Sequence, residues 1–136
     1  MTTTPEATGI AGTVLLAIEA LKLDFQPAEF LVEPDGQGGA RVRFGPVPLS
    51  ATYVQGESWV GGHLPPQIPY ADVYPIFVRG DLTRRDGQAL IAPMASGQNF
   101  MGQSAVQVSR KSNRRDASIE TVKMKFKKVL DWVNSQ

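Results

Sequence analysis

The 136-residue sequence predicts a single α+β domain in which two helices pack on an antiparallel sheet. Three observations predict it. Segments with helical periodicity stand near the two ends, and strand-like segments lie together between them instead of alternating with helices. No internal repeat, low-complexity tract or shift of composition divides the chain. With 42% hydrophobic residues the chain can bury one core without metal or disulfide cross-links. The domain is expected over residues 10–136, behind a disordered leader at 1–9.

Taken in order, IAGTVLLAIEAL at 10–21 places Ile10, Val14, Ile18 and Leu21 on one helical face, with Leu15 and Leu16 widening it. Pro5 and Glu6 suit a first turn, but Gly9 and Gly12 weaken it, so the regular helix is expected from about Ile10. EFLVE at 29–33 and ARVRF at 40–44 alternate as strands around the glycine-rich PDGQGG, which predicts a hairpin. A third strand is expected around Leu49–Val54. Pro65, Pro66, Pro69 and Pro75 then fix a rigid, extended crossing, with Tyr70 and Tyr74 expected to pack on the core before the strand-like IFV at 76–78. DLTRRDGQ and PMASGQNFMGQ read as a long loop, and SAVQVS at 104–109 as a short strand or loop. Ile119, Val122, Phe126, Val129 and Val133 mark the closing helix.

Composition narrows the function. No apolar run approaches the roughly 20 residues of a membrane span, and MTTTPEATG lacks the charge and cleavage pattern of a secretory signal, so a cytoplasmic protein with no membrane partner is expected. The chain has no cysteine, which removes disulfides, thiolate metal sites and any thiol nucleophile. Its single histidine, His63, follows Gly61 and Gly62 at an expected turn and has no cysteine partners, so no metal set is predicted. Asp81 and Asp86 alternate with Arg84 and Arg85 as a charge-balanced surface loop does, and no nucleotide-binding, hydrolase or zinc-protease motif is present.

The net charge of +1 hides an asymmetry: residues 1–109 carry six Lys/Arg against ten Asp/Glu, and residues 110–136 carry eight against three. Arg110, Lys111, Arg114 and Arg115 are the candidate residues for contact with a partner. No aromatic is interleaved with them, which argues against a single-stranded nucleic acid as that partner.

Two stretches taken together, PYADVYPIFV at 69–78 and GQSAVQV at 102–108, resemble the ubiquitin-conjugating (UBC) superfamily, most closely its divergent bacterial members. That family runs helix, strand meander, a tyrosine–proline segment, a long loop, the catalytic cysteine and further helices. Its cysteine follows a glycine by three residues and precedes an aliphatic–polar–aliphatic run. Gly102, Ala105, Val106, Gln107 and Val108 match that pattern, with Ala105 at the cysteine position. Asn99 is the nearest counterpart of the family's upstream asparagine, without the histidine and proline that accompany it there.

The resemblance implies a UBC-like fold and, as partners, a ubiquitin-like modifier, an activating enzyme or a catalytic conjugating enzyme; it implies no cofactor. A methyl group at position 105 can neither form nor release a thioester. Two explanations of Ala105 stay open: a naturally non-catalytic subunit, or an active enzyme whose cysteine has been replaced. A third, separate function class is a basic nucleic-acid-binding module using Arg110 to Lys128.

Overall fold

The computed structural model describes residues 9–68, 70–110 and 121–136. Their elements are α1 (Gly12–Phe25), β1 (Glu29–Pro34), β2 (Ala40–Pro48), β3 (Glu57–Leu64), β4 (Ile76–Arg79), β5 (Met94–Phe100), β6 (Gln103–Val108) and α2 (Val122–Asn134). The strands form one antiparallel sheet in the order β1-β2-β3-β4-β6-β5, so the last hairpin returns with its second strand against β4. The α+β class is thus as expected.

Alternation along each strand divides the sheet into two faces. Val42 and Phe44 of β2, Val60 and Leu64 of β3, Ile76 and Val78 of β4, and Val106 and Val108 of β6 are all buried. Their cross-strand partners lie in matching rows, such as Val60↔Val78↔Val106. Phe25 of α1 and Phe126 of α2 both pack on Phe44, at 5.1 and 5.3 Å between ring centroids, so both helices cover this one face. The inward stripe of α1 is Val14, Ile18 and Leu21, and that of α2 includes Val122, Phe126, Val129 and Val133. The described part of the α2 stripe is the one that periodicity predicts, and Val14, Ile18 and Leu21 of α1 face inward as expected, but Leu16, expected to widen that face, is 72% exposed, and Ile10 is buried ahead of the helix.

The first helix starts later and runs further than expected. Ile10 still bridges Gly38, and Ala11 N–H donates to the Gly38 carbonyl at 2.8 Å, which holds the chain extended until Gly12. The helix ends at Gln26, whose left-handed φ of 45° lets its N–H reach the Lys22 carbonyl. The leader expected at 1–9 lies, apart from Gly9, outside the described residues, as does Ile119 of the closing helix. Thr121 caps α2, its hydroxyl accepting from Met124 N–H at 3.4 Å.

Three expectations are corrected. The third strand is Glu57–Leu64, and residues 49–54 form a turn instead. That turn is pinned to the end of α2: buried Tyr53 donates its hydroxyl to the Val133 carbonyl at 2.7 Å, and Ser50 N–H donates to Asn134 Oδ1 at 2.8 Å. Residues 94–100, expected in a loop, are β5. In the proline-rich crossing the core contacts come from Ile68 and Val73, while Tyr70 and Tyr74 are 84% and 39% exposed. The crossing is tied to α2 by buried Lys125, which reaches Asp72 at 3.0 Å and donates to the Arg110 carbonyl at 2.6 Å. No helix among the described residues is long and apolar enough to cross a membrane.

Candidate functional site

Position 105 belongs to the β5–β6 hairpin. Phe100 pairs with Gln103 across a two-residue connection, Met101–Gly102, and both connecting residues have positive φ, 49° and 77°. This is the geometry whose twist suits a tight hairpin, and it asks for glycine at the second position. Gly102 therefore serves a turn. Beyond it β6 enters the sheet, and Ala105 is paired on one side with Arg79 of β4 and on the other with Gln98 of β5. Its methyl group is fully buried. The fit is close: a Cβ added at Gly80 would run into the Ser104 hydroxyl and the Ser104–Ala105 backbone.

Among the described residues, neither Asn99 nor His63 is brought to Ala105. Asn99 pairs with Ser104, the neighbour of Ala105, and adjacent strand residues project to opposite faces. Asn99 and Ala105 thus do not share a face. His63 lies in β3, correcting the expected turn, opposite Arg41 of β2. The ladder puts it two strands away from Ala105 and four residues along, roughly 13 Å of strand rise. Its Nε2 is 2.5 Å from Asp35 Oδ2, and Asp35 Oδ1 also accepts the N–H groups of Gln37 and Gly39 at 2.7 and 2.9 Å. The bond with His63 is the largest cause holding the Asp35 carboxyl below its ordinary range. The pair organises the β1–β2 loop.

Among the candidate partner-contact residues, Arg110 stacks its guanidinium over Trp132, 4.6 Å from the ring centroid. Lys111, Arg114 and Arg115 lie outside the described residues. Further along the same basic stretch, Lys125 is buried against Asp72, and Lys127 pairs with Asp24 at 2.9 Å.

The face of the sheet turned away from the helices carries the groups that the sequence did not single out. Trp59, Phe100 and Phe77 form a row of near-parallel rings, with centroids 6.4 and 4.5 Å apart. Phe100 lies over Gly61, where a side chain would meet the ring. Arg43 stands over Trp59 at 5.6 Å and donates to the Met101 carbonyl at 3.3 Å. Beside the row opens a cleft of about 540 Å³ whose walls include Trp59, Glu57, Arg79, Asp81, Gln103 and Ser104. Arg79 meets Asp81 through two nitrogens, at 2.5 and 2.8 Å, and donates to the Glu57 carbonyl at 2.9 Å. The pairing raises the guanidinium pKa and lowers that of the carboxyl. Fixed charges and flat rings on a rigid sheet suit recognition of a surface; a nucleophile with an activating base is not among them.

The signal that could have found this face was the alternation of Arg41 and Arg43 with Val42 and Phe44. It gave one strand's outward residues but not the rings that lie beside them in the sheet. No group of three or more potential metal ligands occurs among the described residues. Comparison with protein-family models, curated proteins and solved structures yields no match to this chain.

Proposed function

We propose that the protein is a non-catalytic, UBC-like subunit of a bacterial ubiquitin-like conjugation system, which binds a modifier, an activating enzyme or a catalytic conjugating partner. The observation that carries the non-catalytic part is the environment of position 105. It is a fully buried methyl group between Arg79 and Gln98, in a chain without cysteine, and Asn99 is directed to the other face. Support for the UBC-like part comes from the order of elements. A helix comes first, β1 to β4 are adjacent in sequence order, Tyr74–Pro75 immediately precedes β4, and a helix closes the described chain. The hairpin β5–β6 widens the sheet beyond the four-stranded meander of that family.

The helix-free face is the binding surface in this proposal, with Trp59 and Arg43 as its anchors, because tryptophan and arginine contribute disproportionately to protein interfaces. Mixing the purified chain with the ubiquitin-like modifier and the activating enzyme encoded beside it, and measuring complex formation by calorimetry, tests the proposal. A complex with either is expected, weakened on the order of tenfold or more by Trp59→Ala. Absence of binding to both proteins and to a conjugating partner from the same system overturns it.

A further inference from the structure

We propose that His63, Asp35 and the β1–β2 loop form a latch that fixes the start of α1, and that through it the helix-free face of the sheet acts on the helical layer. The first helix has no side-chain cap of its own. Its N-cap residue is Ala11, which offers no side-chain acceptor, and the first turn holds no acidic residue to favour the helix dipole. Instead Ala11 is gripped from both sides. Its carbonyl accepts the N–H groups of Val14 and Leu15, each at 3.0 Å, while its own N–H donates to the Gly38 carbonyl of the loop at 2.8 Å. The helix therefore begins where the loop holds Ala11.

The loop takes its shape from one carboxylate. The side chain of Asp35 is 5% exposed; its Oδ1 accepts the Gln37 and Gly39 N–H groups, and its backbone N–H donates to the Gly39 carbonyl at 3.1 Å. Gly36 and Gly38 turn the chain with φ of 79° and 93°, and a side chain at Gly39 would collide with Asp35 Oδ2 and the Leu64 carbonyl. Burying this carboxylate calls for a donor to its second oxygen, and His63 supplies it from Nε2. An ionised carboxylate only accepts, so the proton of that bond lies on Nε2. The His63 ring is 43% exposed on the helix-free face, opposite Arg41, which is itself paired with Glu33 at 3.2 Å. Contacts thus run unbroken from an accessible ring on one face, through Asp35 and the glycine loop, to Ala11 and the helix on the other. A partner that draws the ring away from Asp35 frees the loop and, with it, the start of α1.

Amide hydrogen exchange of the full chain at neutral pH, followed residue by residue by NMR, tests the latch. It involves no binding partner, so its outcome is separable from that of the proposed function. His63→Ala should speed exchange at Ala11, Gln37 and Gly39 by on the order of tenfold or more, and leave Val78 of β4 and Val106 of β6 unchanged. His63→Gln, which keeps a side-chain N–H at comparable reach, should hold Ala11 near its wild-type rate. Arg41→Gln should do the same, since Arg41 pairs with Glu33 and not with Asp35. An unchanged Ala11 in His63→Ala would mean that the burial of Ile10 alone holds the helix start. Equal acceleration at every amide would mean that His63 supports the whole fold. Either result, or an effect of His63→Gln or Arg41→Gln as large as that of His63→Ala, would overturn the proposal.

Discussion

Ala105 shows how a residue's setting decides its chemistry. In the sequence it follows a glycine at the distance of a catalytic cysteine; in the fold that glycine turns a hairpin and the alanine fills a closed position in the sheet. Steric closure gives a direct expectation. Ala105→Leu adds three carbons at a position that has no exposed surface, and chemical denaturation should show a loss of about 1–3 kcal/mol.

Asp35 is the second residue whose surroundings dictate a measurable effect. Its folded pKa lies below the ordinary 3.8, chiefly through His63, so its contribution to stability is fully present above that value and is lost as pH falls through the folded pKa. A denaturation midpoint followed from neutral pH to well below 3.8 should fall in the wild type. Asp35→Asn should start from a lower midpoint and fall less, because it has no carboxylate to protonate there. Equal slopes for the two proteins would contradict the assignment.

At the scale of elements, legibility followed local pattern. The stripes of α1 and α2 and the hairpin β1–β2 were readable because helical spacing and strict alternation survive in them. The strand β3 was hidden by Gly61–Gly62–His63, which looks like a turn. Those glycines are there for tertiary reasons: the Phe100 ring covers Gly61, while Phe126, Val73 and Ile76 crowd Gly62. The strand β5 was hidden for a different reason. It is an edge strand, exposed from Ala95 to Asn99, with an irregularity between Ala95 and Gln98 and a positive φ at Gly97, so alternation is lost.

The placement of β6 between β4 and β5 depends on this hairpin, and with it the whole site, which is why Asn99 and Ala105 looked like neighbours in one site and are not. Gly102→Ala tests the turn. Open space surrounds the added methyl group, yet the φ of 77° should make the substitution cost about 1 kcal/mol in thermal or denaturant unfolding. A neutral result would show that the turn does not require glycine there.

For the whole molecule, the two layers leave a division of labour. Helices close one face of the sheet around a core that includes Phe44, Phe126 and Tyr53, and the other face presents rings and paired charges. The sequence carried the class of this architecture and the stripes that build its core. The second face was unreadable because it arises from register between strands far apart in the chain: Trp59, Phe77 and Phe100 become neighbours only after pairing.

The central claim is that position 105 is a closed position in the sheet. Ala105→Cys tests it most directly, since the chain contains no other cysteine and a thiol reagent then reports on this position alone. The introduced thiol should react with such a reagent on the order of a thousandfold or more slowly in the native protein than in denaturant, limited by unfolding. Labelling of the native protein at the rate of an exposed thiol would contradict the account.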